Sequence, residues 1–199
     1  MNTERLEEIK KQALEEHIPI IMDDTLAVIT EKIQKEKKNL DTILEIGTAV
    51  GYSAICFTKL LAPNGRIDTI ERDEERIAKA KENIRSVGVE NQIRIYEGDA
   101  VEILPTLEQK YDMVFIDAAK GKYPLFFQEA CRMLKKDGII FADNVLYKGY
   151  VRSDYNKHKQ RTAVRNLREF LAEIENKEIY QSEVLEVGDG LAIIQLRRN

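Results

Sequence analysis

Ile43-Leu44-Glu45-Ile46-Gly47-Thr48-Ala49-Val50-Gly51-Tyr52-Ser53 is the stretch that decides how this chain is read. A short apolar run meets an acidic residue and two glycines, and a helix-forming segment opens directly behind them. Glycine has no side chain, so the backbone can turn sharply there and approach a ligand closely. Open α/β sheets bind ligands at the carboxyl ends of their strands, which is where a turn of this kind falls. The spacing is Gly-x-x-x-Gly, not the Gly-x-Gly-x-x-Gly that cradles a dinucleotide pyrophosphate. A smaller adenosyl ligand is expected.

Outward from this turn, strand-like apolar runs alternate with helix-like stretches. The runs are Thr42–Ile46, Arg66–Glu71, Ile93–Glu97, Met113–Asp117 and Gly138–Asp143, parted by segments such as Glu74–Ser86 and Tyr123–Lys136. Strands separated by helices predict a parallel sheet covered on both faces. Two more helices are expected before the first strand, at Thr3–Glu16 and Asp24–Glu36. The end of the chain breaks the pattern, because only Gly188-Asp189-Gly190 parts the β-like runs Glu178–Val187 and Leu191–Arg197. So short a link cannot hold a crossover helix, so these runs must form an antiparallel hairpin. The expected fold is therefore α/β and Rossmann-like: a mostly parallel sheet with helices on both faces and a C-terminal antiparallel hairpin. One domain is expected over residues 1–199, with N-terminal helices in 1–38 and the core in 39–199.

A formal net charge of −4 excludes a uniformly basic, histone-like binder but leaves room for a local basic patch. Cys56 and Cys131 lie far apart and form no CxxC pair, which suits two small buried hydrophobes in a reducing cytoplasm. No apolar run approaches the roughly 18–20 residues of a membrane span. The charged start, Met1-Asn2-Thr3-Glu4-Arg5, does not read as a signal peptide. A cytoplasmic protein with no membrane partner is expected.

Acidic residues recur at the strand ends. Glu71 follows Gly51 by twenty positions, where a carboxylate can accept the hydroxyls of a ribose. Gly98-Asp99-Ala100 follows the third strand and could meet an adenine edge; Asp117 ends the fourth strand and Asp143-Asn144 the fifth. Taken singly, each acid is more commonly a cap on the following helix. Together they share one rim of the expected sheet, and Asp117, Asp143 and Asn144 then offer three hard oxygen donors beside the ligand pocket. Oxygen-only ligation favours Mg²⁺, Ca²⁺ or Mn²⁺ over zinc, and His17 and His158 have no ligand-spaced partner. Lys120, three residues past Asp117, is either a solvated lysine or a general base whose pKa a nearby metal lowers.

These motifs resemble the cation-dependent, S-adenosylmethionine-dependent O-methyltransferases of the catechol and caffeoyl-CoA type. The resemblance runs from His17-Ile18-Pro19-Ile20-Ile21 through the glycine turn and Phe115-Ile116-Asp117-Ala118-Ala119-Lys120 to Val187-Gly188-Asp189-Gly190-Leu191. It implies that Ile21, Gly47, Ser53, Glu71, Asp99, Ala100 and Asp117 contact S-adenosylmethionine, Glu71 at the ribose and Asp99 on the adenine side. It implies a magnesium site at Asp117, Asp143 and Asn144, catalytic roles for Lys120 and Asp117, and a homodimer. The implied reaction is an in-line displacement: two neighbouring substrate oxygens are held at the metal, one loses its proton, and it attacks the sulfonium methyl.

One branch of this family is closer still. Ala118-Ala119-Lys120-Gly121-Lys122-Tyr123 and Asp143-Asn144-Val145-Leu146-Tyr147-Lys148-Gly149 resemble the bacterial tRNA 5-hydroxyuridine methyltransferases, which make 5-methoxyuridine at the wobble position. A 5-hydroxyuracil carries a hydroxyl beside its 4-oxo group and can chelate magnesium as a catechol does. Lys148, Arg152, Lys157, Lys159, Arg161, Arg165 and Arg168 follow the metal motif, with Tyr147, Tyr150 and Tyr155 interleaved. Such a segment could neutralise the phosphates of a tRNA anticodon stem-loop and stack on an unpaired base. An ordinary solvated helix face is the competing reading. A small catechol or phenylpropanoid remains the alternative substrate, and a cofactor-binding scaffold without catalysis the reading from another class.

Overall fold

The structure is a computed structural model that describes residues 3–36, 39–153 and 160–197. Its seven strands form a mostly parallel sheet ending in an antiparallel hairpin, as the alternation of apolar runs predicts. The chain divides into two compact units, Met1–Thr106 and Leu107–Asn199.

The first unit holds α1 (Thr3–Glu15), α2 (Asp23–Lys35), β1 (Leu40–Ile46), α3 (Tyr52–Phe57), β2 (Leu61–Glu71), α4 (Glu74–Ser86), β3 (Ile93–Glu97) and α5 (Ala100–Ile103). β2 pairs in parallel with β1 on one side and β3 on the other, in the registers Ile43↔Ile67 and Ile67↔Ile93. Ile43, Leu44 and Ile46 are fully buried, so β1 reads as a continuous apolar run and not as an alternating one. α4 starts where the Asp73 carboxylate accepts the Arg76 N–H at 3.0 Å, and it turns Ile77, Ala80 and Ile84 inward. β2 begins earlier than its apolar pattern suggests. Gly65 permits this, since a Cβ there would lie 2.6 Å from the Leu40 carbonyl oxygen.

The second unit holds β4 (Tyr111–Ile116), α6 (Tyr123–Met133), β5 (Leu134–Ala142), α7 (Arg161–Ile174), β6 (Tyr180–Leu185) and β7 (Leu191–Leu196). β4 and β5 are parallel, β7 runs antiparallel to β5, and β6 antiparallel to β7. α6 stops at Met133, three residues short of the expected Lys136. Leu134 pairs with Tyr111 and the Lys135 ammonium reaches Asp112 at 2.8 Å, so the extended backbone begins there. Tyr123, Phe127, Phe170 and Tyr180 form one aromatic cluster, with neighbouring ring centroids 5.1–5.7 Å apart. Edge-on contacts of this kind add about 0.5–1.5 kcal/mol each beyond the area they bury.

Burial pushes the Cys56 thiol up to about 11 and the Cys131 thiol up to about 12; Cys56 is buried as expected, whereas Cys131 is only half-buried. Among the described residues, no helix is long and apolar enough to cross a membrane.

Candidate active site

In the first unit the glycine turn takes the conformation its sequence requires. Gly47 (φ 107°), Ala49 (φ 46°) and Gly51 (φ 82°) all have left-handed backbone. The Gly47 and Thr48 N–H groups donate to the Ile70 carbonyl, both at 3.1 Å, which straps the turn to the end of β2. From α4, the buried Asn83 amide donates to the Val50 carbonyl at 2.9 Å. Ala49 is left-handed without being glycine, a cost of roughly 1–2 kcal/mol. Its N–H is offset by a charge-assisted bond, donating to Glu71 Oε2 at 2.8 Å.

Glu71 is therefore a structural hub as well as a candidate ligand. Its Oε1 accepts the Arg72 and Asp73 N–H groups at 2.9 and 3.1 Å. An ionised carboxylate offers about four lone-pair sites. The three backbone donors leave room for one strong further bond. Asp99 caps α5, accepting the Val101 N–H at 2.9 Å, and its other oxygen lies 3.3 Å from the Arg72 guanidinium. Ala100 is the first residue of that short helix. Ile21 lies in the link between α1 and α2 and is buried.

Ser53 has a partner the sequence does not announce. Its hydroxyl donates to Glu45 Oε1 at 2.5 Å, while the Thr69 hydroxyl donates to Glu45 Oε2 at 2.5 Å. Thr48 and Thr69 hydroxyls lie 2.6 Å apart. Glu45 is fully buried, so these bonds compensate a carboxyl group that would otherwise be costly there. The network joins β1, β2, the glycine turn and α3.

The second unit gathers the other predicted residues at the ends of β4 and β5. The Lys120 ammonium donates to Asp117 Oδ1 at 2.9 Å, with both side chains largely shielded. Asp143 is 2% exposed, and its Oδ1 accepts the Asn144 N–H at 2.7 Å. Burial, reinforced by repulsion from Asp117 and Asp189, pushes the Asp143 carboxyl up to about 7, against the pull of the Asn144 N–H and Lys120. Asn144 has left-handed backbone (φ 56°), which asparagine tolerates better than most residues.

The hairpin turn holds this loop, a role not evident from the hairpin's β pattern. Val145 and Leu146 donate to the carbonyls of Gly190 and Asp189 at 2.9 and 3.0 Å, and the Lys148 N–H donates to Asp189 Oδ1 at 2.6 Å. A Cβ at Gly190 (φ 93°) would fall 2.4 Å from Leu146 Cγ, so no other residue fits. Asn166 of α7 donates to the Gly121 carbonyl at 2.6 Å and braces the 3-10 turn Lys120–Lys122.

The basic segment divides into cations already engaged and cations facing solvent. Arg152 pairs with Glu186, and Arg165 lies 3.6 Å from Glu169. Arg168 donates to the backbone carbonyls of Val151, Tyr150 and Ser153 and so fastens the turn before α7. Lys148 and Arg161 are exposed. Tyr147 and Tyr150 pack edge to face at 5.8 Å. Lys157, Lys159, Tyr155 and His158 lie outside the described residues.

Among the described residues, no group of three or more His, Cys, Asp or Glu side chains is placed to hold a metal ion. The candidate donor set is two carboxylates and one amide, and its chemistry fits a hard divalent cation. Repulsion from Asp117 adds to burial in raising the cost of ionising Asp143, and a divalent cation held between the two would offset both.

Comparison with known proteins gives the family. A family profile described as O-methyltransferase matches residues 6–198. The catechol O-methyltransferase of Niastella koreensis is 37% identical over 160 residues, covering 76% of this chain and 71% of that protein. A Staphylococcus aureus protein provisionally named a caffeoyl-CoA O-methyltransferase superposes with a TM-score of 0.87 at 34% identity, covering 97% of this chain and 92% of that one. The O-methyltransferase TomG from Streptomyces achromogenes, solved with S-adenosylmethionine and involved in tomaymycin synthesis, gives a TM-score of 0.84 at 25% identity, covering 100% and 92%. The chain belongs to the O-methyltransferase family, the S-adenosylmethionine-dependent enzymes of the catechol and caffeoyl-CoA type.

Proposed function

We propose that this protein is a magnesium-dependent O-methyltransferase that methylates the 5-hydroxyl of 5-hydroxyuridine at the tRNA wobble position. The observation that carries the metal half of this reading is the oxygen cluster at the ends of β4 and β5, where Asp117, Asp143 and Asn144 would hold the cation. When bound, a divalent cation supplies the Lewis acidity that makes a substrate hydroxyl easier to ionise. Lys120, which a cation bound beside it would favour in its neutral amine form, is the residue that takes the proton, from a position fixed by Asp117 on one side and the braced turn Lys120–Lys122 on the other. Glu71 accepts a ribose hydroxyl of S-adenosylmethionine with its remaining acceptor site, and the left-handed glycine turn lets the backbone come close to the same ligand. Asp99, Ala100, Ile21 and Ser53 are the further contacts, Ser53 through the Glu45 network.

For the substrate, support comes from the exposed Lys148 and Arg161 on the chain that follows the metal motif, and from Tyr147 and Tyr150. Such cations position a phosphate backbone, and such rings stack on an unpaired base. One observation favours the second reading, a small catechol: Arg152, Arg165 and Arg168 already have partners within the protein. The deciding experiment offers labelled S-adenosylmethionine to tRNA carrying 5-hydroxyuridine, to the same tRNA carrying uridine, and to a catechol. Label confined to the 5-hydroxyuridine tRNA is the expected result; label on the catechol alone would move the protein to the small-molecule reading.

A further inference from the structure

We infer that the Tyr123 hydroxyl is a positioning residue for the metal site, setting the spacing of the two strand ends that carry the oxygen donors; this rests on the proposed metal reading. Tyr123 is the first residue of α6 and is fully buried. Its hydroxyl lies 3.2 Å from the Ile116 carbonyl and donates also to the Asp143 carbonyl. Those carbonyls belong to the residue before Asp117 and the residue before Asn144. The Ile116 carbonyl accepts the Asp143 N–H as well, at 2.9 Å. Tyr123 thus completes a closed set of bonds between the end of β4 and the end of β5.

The Asp143–Asn144 peptide is pinned at both polar ends. Its carbonyl accepts from Tyr123, and its N–H donates to the Asp143 carboxylate. Asn144 leaves this peptide with left-handed backbone, so the orientation of that plane sets where its amide oxygen can point. Packing alone does not call for a hydroxyl here. The ring meets Phe170 edge-on at 5.7 Å, and phenylalanine would fill the same volume. A buried hydroxyl costs free energy unless it is bonded, and this one is bonded to the two carbonyls that precede candidate ligands. The Lys120 ammonium lies over the same ring, 5.7 Å from its centroid.

Tyr123→Phe removes the oxygen and keeps the ring. With Mn²⁺ as the probe, titrated into the full chain and followed by electron paramagnetic resonance, the variant is expected to bind the ion about tenfold or more weakly. Its affinity for S-adenosylmethionine, measured calorimetrically, stays unchanged. Equal Mn²⁺ binding by variant and wild type would overturn the role of Tyr123 and leave the metal reading standing. No Mn²⁺ binding by the wild type, with methyl transfer undiminished in chelator, would overturn both. Phe170→Leu guards against a folding artefact, because it loosens the ring's packing while keeping the hydroxyl. It is expected to lower the thermal midpoint without weakening Mn²⁺ binding, and a parallel loss of Mn²⁺ would refute a role specific to the hydroxyl.

Discussion

Glu71 and Asp143 occupy the same kind of place, the carboxyl end of a parallel strand or one step beyond it, yet their surroundings differ sharply. Glu71 accepts three backbone N–H groups, so its charge is spread over a rigid turn and it has little left to offer but a hydrogen bond. Asp143 accepts one, is almost wholly buried, and faces Asp117 and Asp189. The first environment suits an uncharged polar ligand such as a ribose hydroxyl. The second sets three carboxylates against one ammonium, that of Lys120. A carboxylate's role is thus set by how many donors the backbone has already aimed at it, and the two units of this chain differ in that respect.

The contrast breaks most easily at Asp143. Asp143→Ala is expected to slow methyl transfer roughly 10³-fold, since metal assistance is worth several kcal/mol. Cofactor affinity measured by calorimetry should be untouched, and a matching loss of cofactor binding would erase the division of labour between the units. Lys120→Ala should slow transfer on the order of 10²-fold, as removal of a general base does, again with cofactor binding intact. Unchanged turnover would take Lys120 out of the chemistry.

On the other side, Glu71→Ala should weaken S-adenosylmethionine binding roughly 10- to 100-fold, because one charge-assisted bond contributes about 1.5–3 kcal/mol. Mn²⁺ binding should not change. The variant also strips the Ala49 N–H of its partner, so a lowered thermal midpoint is expected with it.

A pH titration sharpens the comparison further. With its carboxyl held near 7, Asp143 is protonated in more acid solution and is a poor ligand, so metal affinity should rise as pH increases through about 7. Stability of the metal-free protein follows the opposite sign. The raised carboxyl binds its proton more tightly in the folded state than in the unfolded one, where the usual value is about 4. Its contribution is present in acid and is lost as pH rises from about 4 to about 7. Melting curves of wild type and Asp143→Asn should differ in that window, and superimposable pH profiles would contradict the assignment. The smallest effects belong to the basic segment. Arg168→Ala should cost about 1–2 kcal/mol of stability whatever the substrate, by freeing backbone carbonyls. Lys148→Glu with Arg161→Glu should depress methylation of tRNA alone.

Much of this was legible before the structure. The apolar runs gave the strands because buried parallel strands need little else, and the three-residue gap before Leu191 allowed only a hairpin. The glycine turn was readable from Gly47 and Gly51, and the nearness of Lys120 to Asp117 from the three positions that part them. Partnerships between distant residues were not readable. Nothing local tells that Ser53 turns its hydroxyl to Glu45, that Asp189 holds the Lys148 backbone, or that Tyr123 reaches two strand-end carbonyls. The end of α6 was misplaced because Leu134–Lys136 continue its polar and apolar pattern, while sheet pairing with Tyr111 draws them into β5. The basic run likewise looked uniform in sequence, whereas Glu186, Glu169 and the carbonyls before α7 had already claimed three of its arginines.

The central claim is that the carboxylates of the second unit work through a divalent cation. Methyl transfer from labelled S-adenosylmethionine to an acceptor with two adjacent oxygens, 5-hydroxyuridine tRNA or a catechol, tests it most directly. Activity should vanish in excess EDTA and return on adding Mg²⁺ beyond the chelator. Undiminished transfer in EDTA would contradict the account, and Asp117, Asp143 and Asn144 would then need another explanation.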